Sequence, residues 1–313
     1  MRLLNTLVLV VVSASVATGK TIYVNNVVGD NRNTGALATS EGGDAGPLRT
    51  IHAAIRRAYR GDRISIANTG QPYVECVTLQ GARNSGTPFT PFVFDGNGAS
   101  LDGAGEHSVG ITLYQVERVV VRNLRVGGFT LDGINAHDNV FDTVLANVTS
   151  TENGRSGISI DGASRVQIIE SRANRNERAQ LRSEGWSTTS LVQTKLVSET
   201  GLAWSRHPPQ GNSGARLTVD GQRVLDLEGR STAEEWQQLL AEEEQAEQER
   251  QAAKPVEPQE LPPAEPTPDE SDELEDPFQP SPDETDVPFD DPDSATDEPV
   301  DDPFAADEDD PFA

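Results

Sequence analysis

A glycine-led motif recurs through the middle of this chain every 23 or 24 residues. Its copies begin at Gly110, Gly133, Gly157 and, in weaker form, Gln180. A second track, whose first copy is Val121-Arg122-Asn123-Leu124, keeps the same period. Two tracks with one period indicate one structural unit that is repeated. Because each unit holds short β-type runs separated by Gly, Asn, Asp and Ser, the pattern predicts an all-β chain whose coils stack as a parallel β-helix.

Alternation within each repeat predicts which side chains face the core. In the first copy, Ile111 and Leu113 are expected to point inward and Thr112 and Tyr114 outward, since successive side chains of a strand alternate. The second track is expected to stack four polar side chains that hydrogen-bond along the coil axis. These four are Asn123, Asn147, Ser171 and Thr194.

The first 19 residues have the pattern of a secretory signal peptide. Arg2 supplies a positive charge, residues 3–12 are almost wholly apolar, and small residues follow through Ala17. The apolar stretch is shorter than the roughly 18 residues that a membrane span requires. Since no second hydrophobic segment follows, the sequence predicts a protein without a membrane span that is secreted, periplasmic or held at the cell surface.

The segments on either side of the repeats have patterns of their own. An amphipathic pattern at residues 51–58 predicts a helix that caps the open N-terminal end of the β-helix, which is expected over residues 20–206. Residues 207–254 are predicted to form a hairpin, with its turn at Asp220-Gly221, and a helix that a capping box at Ser231 opens. The first two turns of that helix are expected to dock on the last coil, and the remainder to project into solvent.

The negative charge of the chain is concentrated in its last part. Residues 231–313 hold 30 of the 51 acidic residues and two of the 25 basic ones, whereas residues 1–230 have a net charge of +2. The nearly neutral body gives no reason to expect nucleic-acid binding. Residues 255–313 hold 14 of the 20 prolines and are predicted to be disordered, because they cannot bury enough apolar surface to fold. Their Asp-Pro-Phe repeats are predicted either to solvate the protein or to bind an extracellular protein partner.

Three further side chains are expected to pack inside the fold. Cys76 is the single cysteine, so it cannot form an internal disulfide and is predicted to be a buried small side chain. Trp186 and Trp204 are likewise predicted to pack rather than to bind a ligand.

Several short motifs along the chain are found together in a known group of proteins. They are Tyr23-Val24, Gly29-Asp30 with Asn33-Thr34-Gly35, Thr50-Ile51-His52-Ala53-Ala54, Gly61-Asp62, Tyr73-Val74-Glu75, Leu101-Asp102-Gly103 and Glu235-Trp236-Gln237. Over roughly residues 21–240, the chain resembles exported bacterial members of the pectin-lyase-like superfamily. The resemblance implies a single-stranded right-handed parallel β-helix. It leaves the activity open, because this fold hosts lyases, hydrolases, adhesins and proteins of no known activity.

Departures from the family's enzymes bear on catalysis. The calcium-binding aspartates and catalytic arginine of the pectate lyases are not evident in this sequence. The aspartate pair of the polygalacturonase-type hydrolases is also not evident. The resemblance therefore indicates a fold rather than an activity.

The outward face of the repeated strands carries the candidate functional residues. Neighbours in a column are expected about 4.8 Å apart, which is the spacing of paired strands. One strip, named here the polar strip, would then contain Tyr114, His137, Asp161, Arg182 and Glu184. Aromatic rings stack on sugars, carboxylates accept hydrogen bonds from hydroxyl groups, and an arginine pairs with a uronate. The strip is therefore either a solvated face, because an outward strand face is polar in any soluble protein, or a site that binds a sugar.

Three functions remain open for such a chain. The first is a non-catalytic carbohydrate-binding or structural protein at the cell surface, with a polysaccharide as its partner. The second is a polysaccharide lyase or glycosidase, in which Asp161 and Glu184 act as acid and base and Arg182 is the third candidate catalytic residue. The third is a scaffold whose working part is the acidic tail. No cofactor is predicted, with calcium shared by Asp161 and Glu184 as the alternative.

Overall fold

The structure, a computed structural model, describes residues 19–208 and 214–252. Apart from Gly19, the predicted signal peptide (residues 1–19) lies outside the described residues, and so does the whole of the predicted disordered tail (residues 255–313). In chain order the elements are β1 (Thr21–Val24), α1 (Ile51–Arg57), β2 (Arg63–Ile66), β3 (Val77–Gln80), a 3₁₀ turn (Ala82–Asn84), β4 (Phe92–Asp102), β5 (Ile111–Tyr114), β6 (Val119–Gly127), β7 (Ile134–His137), β8 (Thr143–Thr151), β9 (Ser156–Ile160), β10 (Arg165–Ile169), β11 (Arg172–Asn174), β12 (Ala179–Glu184), β13 (Thr188–Val192), β14 (Lys195–Val197), β15 (Leu202–His207), β16 (Arg216–Val219), β17 (Gln222–Val224), β18 (Glu228–Gly229) and α2 (Ala233–Ala252).

The described strands form two sheets in which neighbours are not consecutive along the chain. Sheet 1 has the order β1-β2-β4-β6-β8-β10-β13-β16-β17, and the short strands β11 and β14 extend it beside β8. Sheet 2 has the order β18-β15-β12-β9-β7-β5-β3. The chain alternates between the sheets, and each repeated strand pairs in parallel with the strand one coil later. The fold is therefore the right-handed parallel β-helix that the sequence predicts.

The inward column of sheet 2 shows how the repeat builds the core. Ile111 pairs with Ile134, and Ile134 with Ile158, at the 23- and 24-residue steps of the sequence pattern. All three side chains are fully buried. Thr112 and Tyr114 are only partly buried, so the predicted inward and outward positions are confirmed. Aliphatic side chains stacked from coil to coil thus form one continuous core along the axis.

Sheet 1 bends at one corner in each coil, where the backbone enters the left-handed region. The corner residues Asn123, Asn147, Glu170 and Gln193 have φ values of 54°, 51°, 48° and 48°. Asparagine adopts this region more readily than most other residues with a side chain. The second sequence track therefore marks a corner of the coil rather than the middle of a strand.

The predicted ladder along this corner is confirmed for two members and wrong for the other two. Nδ2 of Asn147 donates a 2.9 Å hydrogen bond to Oδ1 of Asn123, one coil earlier. The corner residue of the next coil is Glu170, which follows Asn147 by 23 residues rather than 24. Ser171 therefore lies one position past the corner. Its hydroxyl accepts a 3.1 Å hydrogen bond from the backbone N–H of Val148 instead. Thr194 also lies one position past its corner, and its Oγ1 accepts a 3.5 Å hydrogen bond from the backbone N–H of Ser171.

Helix α1 covers the N-terminal end of the core, as predicted. Thr50 is its N-cap, and Oγ1 of Thr50 accepts a 3.2 Å hydrogen bond from the backbone N–H of Ala53. The carboxylate of Glu75 accepts hydrogen bonds from the first two N–H groups of the helix, at 2.9 and 3.0 Å. Burial, with smaller contributions from its neighbours, raises the pKa of nearby Tyr73 to about 12. The Tyr73-Val74-Glu75 motif therefore has a structural role, because it caps α1 and fills the first coil.

The predicted hairpin after the last coil is present. β16 and β17 pair antiparallel, and Asp220 and Gly221 at their turn have positive φ values of 46° and 80°. Arg206 of β15 is 2% exposed, and its guanidinium donates hydrogen bonds to three backbone carbonyl groups of the hairpin region, those of Ala215, Leu225 and Asp226. This buried cation attaches the hairpin to sheet 2.

Helix α2 differs from its prediction in two details. Its capping box begins at Thr232 rather than Ser231, since Thr232 and Glu235 exchange side-chain-to-backbone hydrogen bonds of 2.7 and 3.1 Å. Ser231 instead donates to the carbonyl of Leu196 at 3.1 Å and so ties the helix to β14. Docking also continues past the second turn, because Glu242 binds two basic side chains of the coils. In the described ranges, no helix has the length and apolar character needed to cross a membrane.

Two of the three side chains predicted to pack inside lie at the surface. Cys76 is exposed, because it alternates with Val77, whose side chain points into the core. Trp186 is 58% exposed. Trp204 is partly buried and packs against the core, as predicted.

Candidate functional site

The polar strip lies on the outer face of sheet 2. Tyr114 ends β5 and pairs in register with His137, which ends β7. Arg182 and Glu184 both belong to β12, and Asp161 directly follows β9, the neighbour of β12. All five side chains are partly exposed. The structure therefore places the five predicted residues on one accessible face.

The aromatic half of the strip is a contact between two rings on adjacent coils. The ring centroids of Tyr114 and His137 are 5.0 Å apart and their planes are inclined at 45°. Nδ1 of His137 lies 3.0 Å from Oδ2 of Asp138, so the neighbouring residue in the sequence orients the imidazole. Paired rings of this kind present a broad apolar surface with polar edges, which suits contact with a sugar ring.

The charged half of the strip is held by two separate sets of partners. Nη1 of Arg182 lies 3.4 Å from Oε1 of Glu184, and Nε of Arg182 donates a 3.2 Å hydrogen bond to Oγ of Ser159 on the previous coil. Oδ1 of Asp161 accepts a 2.5 Å hydrogen bond from the backbone N–H of Gly162. A ligand would therefore meet an arranged guanidinium–carboxylate pair beside a carboxylate that is fixed by its own turn.

An ion pair that the sequence analysis did not identify lies close to this face. The carboxylate of Asp132 is fully buried; it binds Nε of Arg155 at 2.9 Å and also accepts from the backbone N–H of Ser156 at 3.2 Å. The hydrogen bond to Asp132 raises the pKa of Arg155, against the effect of burial, and the charge of Glu184 contributes to the same rise. The guanidinium of Arg155 therefore lies within the electrostatic influence of the polar strip. Its only sequence signal was an aspartate directly before the motif at Gly133.

Two more residues extend the strip and were not predicted to belong to it. His207, the last residue of β15, pairs in register with Glu184, and its Nε2 lies 2.5 Å from Oγ of Ser205. The exposed Trp186 lies two residues after Glu184, and its backbone N–H donates a 2.8 Å hydrogen bond to the carbonyl of Gly162. The turn that carries Trp186 therefore stacks on the turn that follows Asp161. Continuing the columns one coil further would have found His207.

Carboxylates of the strip were also candidates to share a calcium ion. In residues 19–208 and 214–252, no group of three or more His, Cys, Asp or Glu side chains has an arrangement that could hold a metal ion. Asp161 and Glu184 are two carboxylates of the strip, so a cation held by both would also need hydroxyl or water oxygens.

Comparisons with known proteins identify similar structures but no similar sequences. No protein-family model and no curated protein matches the chain. Pectate lyase Pel9A is 10% identical in a match that covers 70% of this chain and 80% of that protein, with a TM-score of 0.32. A rhamnogalacturonan lyase is 10% identical, with 68% of this chain and 87% of that protein covered and a TM-score of 0.23.

A third similar structure belongs to a longer protein. The GH136 lacto-N-biosidase from Eubacterium ramulus is 12% identical in a match that covers 56% of this chain, with a TM-score of 0.29. The match spans 45% of that enzyme, so this chain corresponds to less than half of its length.

Proposed function

We propose that this protein is an exported, non-catalytic carbohydrate-binding protein whose polar strip holds the sugar. The observation that supports this most directly is the pair of rings of Tyr114 and His137, 5.0 Å apart, on the same face as the Arg182–Glu184 pair. The rings offer a stacking surface, the carboxylate accepts hydrogen bonds from hydroxyl groups, and the guanidinium pairs with a uronate carboxylate. Export is supported by the signal-peptide pattern of residues 1–19.

A polysaccharide array incubated with the full chain, with and without calcium, tests this proposal. Tyr114→Ala and Arg182→Gln should each reduce retention of the bound polysaccharide. Gln167→Ala, at an exposed position on β10 of sheet 1, is the control and should leave retention unchanged. Equal retention by all four proteins would contradict a binding role for the strip. Dependence on calcium would add a cation bound by Asp161 and Glu184 to the proposal.

A polysaccharide-cleaving activity is the second candidate. It is supported by the position of Glu184 at the end of β12 and of Asp161 directly after β9, the neighbouring strand. Two carboxylates on one face can serve as acid and base on a glycosidic bond. The same array separates the two functions, since cleavage produces new reducing or unsaturated ends. Asp161→Asn and Glu184→Gln would abolish turnover in an enzyme, but would only weaken retention in a binding protein.

The acidic tail supplies a separate proposal, which concerns residues 255–313. Its Asp-Pro-Phe repeats suit weak, repeated binding of an extracellular protein partner. Deletion of residues 255–313 should then remove partner binding while polysaccharide retention stays unchanged. Loss of both partner binding and polysaccharide retention would contradict the proposal that the tail and the β-helix have separate functions.

A further inference from the structure

The turn after β9 brings together the two groups of an intramolecular reaction. Asp161 of the polar strip is followed in the chain by Gly162. Oδ1 of Asp161 accepts a 2.5 Å hydrogen bond from the backbone N–H of Gly162. Because Oδ1 is bonded directly to Cγ, this contact also holds the backbone nitrogen close to Cγ. An amide nitrogen and a carboxyl carbon in this relation can condense to a five-membered cyclic imide, and holding the reacting atoms in contact accelerates such a reaction.

A glycine after the aspartate makes this close approach possible. Gly162 has a φ of 67°, which lies in the left-handed region that favours glycine. A Cβ added at Gly162 would lie 3.1 Å from the backbone nitrogen of Asp138, one coil earlier, so a larger residue would crowd the turn. Asp161 and Gly162 are both partly exposed, so water reaches them. The turn therefore combines an unshielded nitrogen, a nearby carboxyl group and solvent.

Four other Asp-Gly pairs in the same chain provide an internal comparison. They begin at Asp95, Asp102, Asp132 and Asp220. All five pairs directly follow an apolar residue, so the local sequence hardly distinguishes them. Any difference in their chemistry must then come from the fold.

Ion pairs hold two of these four carboxylates away from their glycines. The carboxylate of Asp95 binds Arg122 at 2.7 Å, and that of Asp132 binds Nε of Arg155 at 2.9 Å. The backbone N–H of Gly133 donates a 3.0 Å hydrogen bond to a carbonyl group of the next coil. Both reacting groups of the pair at Asp132 are therefore bound to other partners.

Backbone N–H groups of other residues hold the remaining two carboxylates. Oδ1 of Asp102 accepts a 2.8 Å hydrogen bond from Ala104, and Oδ1 of Asp220 accepts a 2.9 Å hydrogen bond from Gln193. The five Asp-Gly pairs all lie within the described ranges. Among them, the pair at Asp161 is the one in which the carboxylate binds the N–H of its own glycine.

We propose that Asp161 is a site of spontaneous modification, at which the chain rearranges to isoaspartate with water as the co-reactant. The nitrogen of Gly162 forms a bond to Cγ of the protonated Asp161 side chain. The amide proton and the Cγ hydroxyl group leave as one water molecule, and a cyclic imide results. A second water molecule then opens the imide: attack at Cγ restores aspartate, whereas attack at the main-chain carbonyl carbon gives isoaspartate. This reaction does not depend on sugar binding at the polar strip.

The product changes the shape of the polar strip without changing its charge. Isoaspartate adds one methylene group to the main chain, and its carboxylate branches from Cα. The backbone N–H of Trp186 donates a 2.8 Å hydrogen bond to the carbonyl of Gly162, so the turn that carries Trp186 rests on the turn that would lengthen. Modification of Asp161 therefore displaces both turns at this end of the strip.

Peptide mapping of the full chain after prolonged incubation at neutral pH tests the site. A protease that cleaves before aspartate but not before isoaspartate, followed by mass spectrometry, measures the isoaspartate fraction at all five Asp-Gly pairs. The fraction at Asp161 should exceed each of the other four at least about tenfold, because a misplacement of about 1 Å can cost about a hundredfold in rate. Equal fractions in the folded protein would overturn the proposal. Deamidation at Asn97-Gly98 or Asn153-Gly154 changes the peptide mass and is thereby distinguished.

The same incubation in urea separates the effect of the fold from that of the sequence. Unfolding removes the contact between Asp161 and Gly162, so the five pairs should then form isoaspartate at similar rates. A preference for Asp161 that persists in urea would overturn the role given to the turn. Asp161→Glu keeps a carboxylate but requires a six-membered ring, and it should abolish isomerisation at this position in the folded protein.

Amide hydrogen exchange tests the structural consequence. In the modified fraction, exchange of the Trp186 amide should accelerate, because its hydrogen bond to Gly162 is lost. The amide of Phe141, which donates a 2.9 Å hydrogen bond to the carbonyl of Val116, is the control and should exchange at an unchanged rate. Unchanged exchange at Trp186 would contradict the displacement of the two turns.

Discussion

Nδ2 of Asn147 donates a hydrogen bond to Oδ1 of Asn123, and the two residues stand one above the other at the corners of consecutive coils. The chain of bonds continues, because Nδ2 of Asn123 donates a 3.0 Å hydrogen bond to Oδ1 of Asp95 on the coil before. Side-chain hydrogen bonds thus link three coils, in addition to the backbone pairing of their strands. The ladder ends on a carboxylate that is 1% exposed and that also binds Arg63 and Arg122 at 2.6 and 2.7 Å.

Asn147 stabilises the corner of its coil through its side-chain hydrogen bond and through its tolerance of a left-handed backbone. Two variants distinguish these contributions. Asn147→Gly loses the hydrogen bond but keeps the left-handed backbone free of strain, whereas Asn147→Ala loses the hydrogen bond and places a Cβ at a φ of 51°. The alanine variant should therefore be less stable than the glycine variant by about 1 kcal/mol. Urea unfolding measures the difference. Equal stabilities would show that the hydrogen bond alone matters at this corner.

Loss of the Asp95 carboxylate should destabilise the fold. Asp95→Asn leaves Arg63 and Arg122 facing a neutral group in a partly buried site, and we expect a loss of about 3 kcal/mol in the free energy of unfolding. Asp44→Asn, in an exposed loop, is the control and should have little effect. If Asp95→Asn loses no more free energy of unfolding than the control does, Arg63 and Arg122 must bind water or other partners instead.

The same carboxylate should make stability depend on pH. Burial opposes the ionisation of Asp95, but hydrogen bonds from Asn123, Arg122 and Asn97 outweigh it and hold the pKa of Asp95 below its ordinary value of 3.8. Because the pKa is lower in the folded state, this stabilisation is present above about pH 4 and is lost as the pH falls through the folded pKa. Unfolding curves measured at descending pH should show a shallower fall for Asp95→Asn than for the natural protein.

Arg206 should be essential to the C-terminal hairpin. Its guanidinium satisfies three backbone carbonyl groups in a site that is 2% exposed, so Arg206→Met should destabilise the protein by about 3 kcal/mol. A protease should then cut the folded Arg206→Met variant within residues 214–229. Arg216→Ala, at an exposed position on β16, should do neither. Resistance of Arg206→Met to proteolysis would show that the hairpin is held by its apolar contacts alone.

Docking of α2 should weaken in acid. The hydrogen bond from Lys195 lowers the pKa of Glu242, that from Arg172 adds to the effect, and burial opposes it. The folded pKa lies below the ordinary value of 4.5, so the contribution of Glu242 is present at neutral pH and lost as the pH falls through that lowered pKa. The NMR signal of the Trp236 indole N–H, beside Arg175, should report the change. Glu242→Gln should shift this signal at neutral pH and Glu244→Gln should not.

The sequence predicts the fold well where burial of apolar side chains alone determines the pattern. Period and alternation identified the coils and the inward position of Ile111, because burial imposes both on every repeat. The ladder failed at Ser171 because one coil is a residue shorter, and a short polar pattern does not reveal where that residue is lost. Cys76 was misassigned from its residue type, although alternation with Val77 already placed it outside.

The candidate site was predictable as a face but not as a set of contacts. Alternation placed Tyr114 and His137 in one column, whereas the pairing of Arg182 with Glu184 depends on side-chain rotamers that no pattern specifies. The sequence also did not predict that α2 docks on the coils as far as Glu242, because this docking depends on tertiary contacts that the helix pattern does not encode.

The longest run of strands in each sheet finishes with an antiparallel strand. β17 pairs antiparallel with β16, and β18 pairs antiparallel with β15. A solenoid that ended on a bare parallel coil would present a template on which the first coil of another copy could add, and growth from end to end would have no natural stop. The reversed strands have the wrong polarity for such an addition. The hairpin that Arg206 anchors therefore covers the parallel edge of β16, and its loss would leave that edge open to a strand of another copy.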